Sequence, residues 1–477
     1  MILGMAWVLL AMVVGCQRPI PSPDLGDRYD RSAMHHGPDR NPVIVIPGIL
    51  GSKLHHPPTD TRVWGAFEGG AADPGTPEGA RLIALPMRVD ARLAELTDRV
   101  EPDGALETVR LSLLGLPFEL EAYAQILGTL GVGGYRDDQL ARSGAVDYGS
   151  DHYTCFQFDY DWRRDNVENA RRLHRFILER RRVVQQNLAE DFGGVAEDYD
   201  VKFDIVAHSM GGLLTRYMLR FGDTDLPEDG TTPPVTWQGA RHVDRAVLVG
   251  TPSAGALNAL VQLVEGAKYS PLHNGYRPAI LGTMPAIYQL LPRDRHRRVL
   301  FDAAGDPSLY SPQTWVDHGW GLAARDQRRQ LQKLLPEVAD PEARQRIALD
   351  HLTKCLRRAE QLHRALDQPA RLPQGLSMIL YAGDGQPTPD RARARGDGRL
   401  VEVAHSSGDG TVTRDSALMD ERLARPDTAG PRLVSPVDWT DVNLLFTDHL
   451  GLTADPVFAD NVLHLLLESP RRGGADD

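Results

Sequence analysis

Five short runs of consecutive apolar residues punctuate the chain: Val43 to Ile46, Cys155 to Phe158, Phe203 to Ala207, Ala246 to Val249 and Met378 to Tyr381. They are continuous rather than alternating, which predicts strands buried on both faces, as in a parallel sheet. Between the second and third runs, Asp165 and Glu168 have the spacing of a capping box. Val167, Ala170, Leu173 and Ile177 then fall on one helical face, and the arginines around them read as a solvated face. Strand, helix and strand in repetition predict an α/β fold with a doubly wound, mostly parallel sheet.

That rhythm breaks between Gly266 and Pro373. Within this stretch Asp340-Pro341-Glu342 reads as a helix start, and Leu349, Leu352, Leu356, Ala359 and Leu366 follow as an amphipathic stripe. A largely helical insertion in such a sheet covers the ligand site, so residues 266–373 are expected to form a cap on a core of residues 42–265 and 374–477. A second irregular segment, 57–86, is rich in Gly and Pro and contains Val63, Trp64 and Phe67. It is expected to be a mobile, lid-like loop.

The N-terminus has a different character. Ile2 to Val14 is apolar or small throughout, too short to span a bilayer, and runs into Gly15-Cys16. This resembles a bacterial lipoprotein signal over residues 1–15, with Cys16 lipidated and residues 16–41 serving as a tether. The expected location is therefore outside the cytoplasm, anchored to a membrane facing the periplasm or the cell surface. Of the other two cysteines, Cys155 lies in a strand-like run and Cys355 on a predicted helix, and both read as buried thiols. No Cys/His spacing suggests a zinc site, and no metal or cofactor is called for. The 477 residues are 42% hydrophobic and 25% charged, with a formal net charge of -12, which speaks against a nucleic-acid partner.

Candidate chemistry centres on "DIVAHSMGGLLTRYML", residues 204 to 219, where a strand-like run meets a serine and then a helical pattern. The sequence Ala207-His208-Ser209-Met210-Gly211 approximates the G-x-S-x-G turn that presents a nucleophile, with alanine at its first position. Small residues two before and two after the serine are needed because the turn brings backbone against backbone; Ala207 is nearly as small as Gly, and Gly211-Gly212 serves the other side. A serine hydroxyl is a weak nucleophile and requires a base, a group orienting that base, and N–H donors for the oxyanion. Met210 N–H is one candidate donor, and Leu50 N–H, in the loop Pro47-Gly48-Ile49-Leu50-Gly51-Ser52, is the other.

In this fold the acid follows the serine and the base comes last. Asp384 in "YAGDGQPTP" directly follows a strand, whereas Asp409 in "GDGTV" sits between glycines, so both stand as acids. For the base, His449 in "FTDHLGLTAD" is favoured; His464 has the surroundings of a packed helix residue, and His405 precedes Asp409 in the chain.

Taken in order, "PVIVIPGILGSKL", "FDYDWRRD", "AHSMGG", "YAGDGQPTP" with "GDGTV", and "DHLGL" resemble the lecithin:cholesterol acyltransferase family of α/β hydrolases, across about residues 42 to 455. That resemblance implies Ser209 as nucleophile, Asp409 rather than Asp384 as acid and His449 as base. It also implies Leu50 and Met210 as oxyanion donors, Gly48 and Gly211 as close-approach positions, the Trp64 segment as lid, and Asp161 and Arg163 as supporting residues, which read independently as a buried ion pair. The expected activity is acyl transfer from, or hydrolysis of, a phospholipid or glyceride at a membrane surface, with water or a lipid hydroxyl as acceptor. A soluble-substrate carboxylesterase and an inactive lipid-binding lipoprotein are the alternatives.

Overall fold

A computed structural model describes residues 24–65, 71–105, 110–113, 116–119, 122–139, 154–268, 274–302, 307–425 and 430–470. The segment up to and including Cys16, and Phe67, lie outside the described residues. Among the described residues no helix is long and apolar enough to cross a membrane.

Six strands form the central sheet: β1 (Val43–Ile46), β2 (Cys155–Gln157), β3 (Phe203–His208), β4 (Val243–Val249), β5 (Ser377–Gly383) and β6 (Asp441–Leu445). Their order is β6-β5-β4-β3-β1-β2, and every neighbouring pair is parallel. The first five grow from the five apolar runs, and all their residues are buried, as expected for strands covered on both faces. The sixth was not predicted. Its residues "DVNLL" run along the edge of the sheet and are buried only at Leu445, so no continuous apolar signal marks it.

Helices cover the sheet. Asp165 caps α1 (Asn166–Phe192) by accepting the N–H of Val167 at 3.0 Å. The capping box is incomplete, because Glu168 pairs with the guanidinium of Arg164 at 2.8 and 2.9 Å instead. Two charge-assisted bonds outweigh one bond to a backbone N–H. α2 (Met210–Phe221) follows β3 without a break and is buried along its whole length.

The insertion between β4 and β5 carries α3 (Leu257–Glu265), several short helices and α4 (Pro341–Leu366). Asp340 caps α4 through the N–H groups of Glu342 and Ala343. Leu352, Leu356, Ala359 and Leu366 of the predicted stripe are buried and Leu349 is half-buried, so the stripe is core packing. Gln289 and Arg358, both from the insertion, converge on the Asp165 carboxylate at 2.6 and 2.7 Å and tie the insertion to the start of α1. Arg216 and Arg220 of α2 donate to the carbonyl of Leu366 at 2.9 and 3.1 Å, closing the other end. Cys155 and Cys355 are buried, unpaired thiols.

Two expectations need correction. Residues 16–41 were expected to be a tether, yet Leu25–Ala33 is a helix capped by Asp24. It buries Tyr29, whose hydroxyl donates to Asp460 at 2.7 Å on α5 (Pro456–Leu467), so an aromatic anchor docks the segment. The 57–86 segment was expected to be a loop, yet it contains the strand Thr61–Trp64 and the helix Pro77–Ile83. Thr76 caps that helix and Pro77 opens it, both of which are helix-start signals.

Candidate active site

All six strands run the same way, so the loops after β1, β3, β5 and β6 emerge at one edge, where ligands bind in open α/β sheets. Ser209 stands between β3 and α2 with φ 52° and ψ -122°, a conformation that costs a non-glycine residue about 1–3 kcal/mol. Its own N–H is held by Val249 O at 2.7 Å. The turn demands the glycines around it. A Cβ on Gly211 would lie 2.6 Å from Pro47 O, one on Gly212 would collide with Thr251, and one on Gly48 would lie 2.8 Å from Ser209 Cβ.

His449, in the loop after β6, places Nε2 3.0 Å from Ser209 Oγ and Nδ1 2.7 Å from Asp409 Oδ2. The other oxygen of Asp409 accepts the N–H groups of Thr411 and Val412 at 2.9 and 2.6 Å, which fixes the carboxylate. Asp409 comes long after β5 because an antiparallel pair, Gln386–Ala394 and Leu400–Gly408, leaves the sheet and returns to it. The returning residue then packs against Gly383 at the end of β5, where a Cβ would collide with it. Asp384 takes no part in this arrangement, since its carboxylate accepts Arg414 Nη1 at 2.6 Å. His405 is exposed beside Glu402. His464 is also away from the site and faces solvent beside Glu468; it is not packed as expected.

The loop after β1 closes over Ser209. Leu50 has φ 65°, and its carbonyl turns away to accept Trp64 Nε1–H at 2.8 Å. Among the described residues the N–H groups of Leu50 and Met210 have no hydrogen-bond acceptor. The N–H of Gly48 is occupied by Tyr123 Oη at 2.6 Å. Tyr160 Oη donates to Pro47 O at 2.9 Å and Trp162 Nε1 to Ser52 O at 3.2 Å, which pins both ends of the loop.

Trp64, the expected lid residue, is buried against Trp162 and Tyr276, with ring centroids 5.5 and 6.1 Å away, and does not line the cavity in front of Ser209. Arg163 is fully buried and binds both oxygens of Asp161, at 2.9 and 2.7 Å, as well as Asp98 at 2.9 Å. Burial alone would depress its pKa, and the two carboxylates more than reverse that. Its remaining N–H groups hold the carbonyls of Leu82 and Ile83, so the pair secures the end of the helix Pro77–Ile83.

Four supporting side chains escaped sequence reasoning: Tyr123, His208, Tyr160 and Trp162. Three of them lie inside the quoted motifs "AHSMGG" and "FDYDWRRD", where only their neighbours were singled out. Tyr123 reaches the site from the helix Ala122–Val132, and no spacing announces it.

The cavity in front of Ser209 has a volume of about 110 Å³ and a mostly apolar wall that includes Ile49, Leu50, Ile287 and Leu290. Among the described residues no group of His, Cys, Asp and Glu could hold a metal ion. A serine hydroxyl bonded to an imidazole that is in turn bonded to a carboxylate, beside an apolar cavity, is an arrangement chemically capable of acyl transfer from an ester.

The family model for lecithin:cholesterol acyltransferase matches residues 123–375. No curated protein has significant sequence similarity to the chain. Among solved structures, the Tle4–Tli4 complex contains a chain with the same fold: TM-score 0.53 and 16% identity, covering 89% of this chain and 98% of that one. Phospholipase PlaB from Legionella pneumophila reaches a TM-score of 0.22 at 12% identity, covering 56% of this chain and 37% of its own. A putative aryl esterase from Burkholderia cenocepacia also reaches 0.22, at 13% identity, covering 91% and 93%. The last two overlaps are too loose to bear on the fold.

Proposed function

The chain belongs to the lecithin:cholesterol acyltransferase family, a family of lipid-ester acyltransferases and hydrolases, and from that premise we propose that it works through an acyl-Ser209 intermediate. The observation that carries the reading is the continuous chain from Ser209 Oγ to His449 at 3.0 Å and on to Asp409 at 2.7 Å.

His449 Nε2 takes the Ser209 proton as Oγ attacks the ester carbonyl, while Asp409 holds Nδ1–H and stabilises the imidazolium that forms. The oxyanion of the tetrahedral intermediate accepts the N–H groups of Leu50 and Met210. Collapse expels the alcohol, which leaves with the proton from His449. The acyl-serine is then resolved by water, giving a fatty acid, or by a lipid hydroxyl, giving a new ester. In either case His449 removes the acceptor's proton and returns it to Ser209 as the carbonyl re-forms. The donor is a phospholipid or glyceride, and lipidation of Cys16 would hold the enzyme at the membrane where that donor lies.

The test uses full-length protein, phosphatidylcholine labelled in its acyl chains, and vesicles with or without diacylglycerol or cholesterol. Labelled fatty acid or new ester that Ser209→Ala fails to release is the expected result. Product formation unchanged in Ser209→Ala would overturn the assignment. For the anchor, Cys16→Ala should move the protein from the membrane to the soluble fraction.

One observation favours a second reading. A cavity of about 110 Å³ is well below the ~300–1000 Å³ of a typical ligand pocket, which suits a short ester in the soluble phase. Rates that fall steadily from butyrate to palmitate esters, on vesicles as well as in solution, would favour that carboxylesterase.

A further inference from the structure

A second cavity, of about 600 Å³, lies at the seam between the insertion and the core. Its walls come from the helical turn Asp294–His296 and the strand Val299–Phe301 of the insertion, and from the end of the turn Glu421–Ala424 of the core. It shares no lining residue with the cavity in front of Ser209. Among the described residues, Arg293, Arg295, Arg297, Arg298 and Arg425 line it against a single carboxylate, Asp294. In a chain of net charge -12 this is a local concentration of the opposite sign. Neighbours in an extended chain face opposite ways, and the left-handed conformation of Arg297, φ 50°, lets Arg297 and Arg298 both line the wall. Arg293 and Arg295 share the buried Asp367 at 3.0 and 2.8 Å, Arg295 also holds Glu421 at 2.9 and 2.6 Å, and Arg298 pairs with Asp390. None of those three carboxylates lines the cavity. Asp294, which does, is occupied by Ser308 Oγ–H and Leu309 N–H at 2.5 and 3.0 Å. Two guanidinium groups keep donors to offer. The Arg295 side chain is 38% exposed and its Nη1 has no hydrogen-bond partner among the described residues. Arg425 is exposed, and its side chain has no partner among the described residues either.

We propose that this cavity binds the phosphate group of an organic phosphate, through Arg425 and Arg295, at a site separate from the chemistry at Ser209. A carboxylate presents two oxygens in one plane, which one guanidinium fork saturates; a phosphate ester presents oxygens in several directions and suits guanidinium groups that converge on it. Val299, Phe301 and Leu309 give the same wall an apolar part, which fits a carbon body attached to the phosphate. The volume falls within the ~300–1000 Å³ of ligand pockets, which favour seams of this kind. The bonds to Asp367 and Glu421 hold Arg295 in place beforehand, so little side-chain freedom is lost when an anion arrives. The phosphate can belong to a lipid headgroup or to a dissolved ester. The recognition chemistry is the same, and the two sources are separated by experiment.

The experiment uses the full chain as wild type, Arg425→Glu and Arg329→Glu. Arg329 is exposed and outside the cavity lining, so its reversal changes the net charge equally and serves as the control. Calorimetry measures binding of glycerol 3-phosphate, with acetate as the carboxylate comparison. Cosedimentation measures binding to phosphatidylcholine vesicles with and without phosphatidic acid. Wild type should bind glycerol 3-phosphate more tightly than acetate if a dissolved ester suffices, or bind only the vesicles containing phosphatidic acid if the site reads a lipid headgroup. In either case Arg425→Glu should weaken binding about tenfold or more, as expected for losing a hydrogen bond to a charged group, while Arg329→Glu leaves it within about twofold. No binding to either phosphate probe, acetate bound as tightly as glycerol 3-phosphate, or equal losses in the two variants would overturn the proposal. Ser209→Ala should bind like wild type, so this site and the acyl-Ser209 reading stand or fall separately.

Discussion

His208 Nε2 lies 3.0 Å from the backbone carbonyl of His449, so the residue before Ser209 holds the main chain of the residue whose imidazole faces Ser209. That carbonyl only accepts, so Nε2 carries the proton and Nδ1 is the acceptor, 3.0 Å from Tyr123 Oη. Tyr123 in turn accepts the N–H of Gly48. One unbroken set of bonds thus joins the loop after β1, the turn at Ser209 and the backbone of His449.

Tyr123→Phe tests that linkage with little change in shape. It leaves His208 Nδ1 and Gly48 N–H buried without a partner, and each such loss costs about 1–3 kcal/mol. We expect urea denaturation to show a destabilisation of about 2–6 kcal/mol. A fall in kcat of about tenfold or more, with KM little changed, should accompany it, because small misplacements at a reacting centre are costly.

His208 also makes stability depend on pH. Burial first, and then the proximity of His449, pushes its pKa down from 6.5 to about 3. The unfolded chain therefore binds this proton below about pH 6.5 while the folded chain refuses it until about pH 3. Stability is present above the unfolded pKa and falls as pH drops through that window, by up to about 1.4 kcal/mol per pH unit. His208→Gln should have a shallower loss of denaturation free energy between pH 6.5 and 5 than wild type. Parallel slopes in the two proteins would contradict the buried, neutral imidazole.

The choice of acid is open to a paired comparison. Asp409→Asn should lower kcat by about 10³–10⁴, since the amide favours the wrong imidazole tautomer. Asp384 binds a partly exposed Arg414, a contact that contributes no more than about 1 kcal/mol. Asp384→Asn should therefore keep most of the turnover. The reverse pattern would make Asp384 the acid and the observed contact incidental.

What was legible in the sequence follows from how local each signal is. Parallel strands buried on both faces announce themselves as apolar runs, and the turn at Ser209 announces itself through its local Ala-x-Ser-x-Gly spacing, although the contacts that demand Gly211 and Gly212 come from Pro47 and Thr251. Position in the chain left Asp384 and Asp409 open; the family resemblance chose Asp409. Only the path of the hairpin Gln386–Gly408, a tertiary fact, explains why the later residue meets His449. The bracing side chains were illegible for the same reason. Tyr160 bonds to Pro47, 113 residues away, and Tyr123 to His208, 85 residues away. Gly and Pro in the 57–86 segment read as loop, although Pro77 opens a helix and the strand before it buries Trp64.

The role of Trp64, lid or brace, gives a last test. A lid governs access, so weakening one changes activity on vesicles far more than activity on a dissolved ester. A brace governs the shape of the oxyanion loop and must act on every substrate. Trp64 Nε1–H holds the carbonyl of Leu50, and that bond keeps Leu50 at positive φ with its N–H unspent. Trp64→Phe keeps most of the ring packing against Trp162 and removes the donor. Losing one oxyanion donor costs about 10²–10³ in kcat where the loss is complete, and a loosened loop should cost part of that, about tenfold. The expected result is an equal fractional fall in kcat for p-nitrophenyl butyrate in solution and for phospholipid vesicles. A fall confined to vesicles would return Trp64 to the lid.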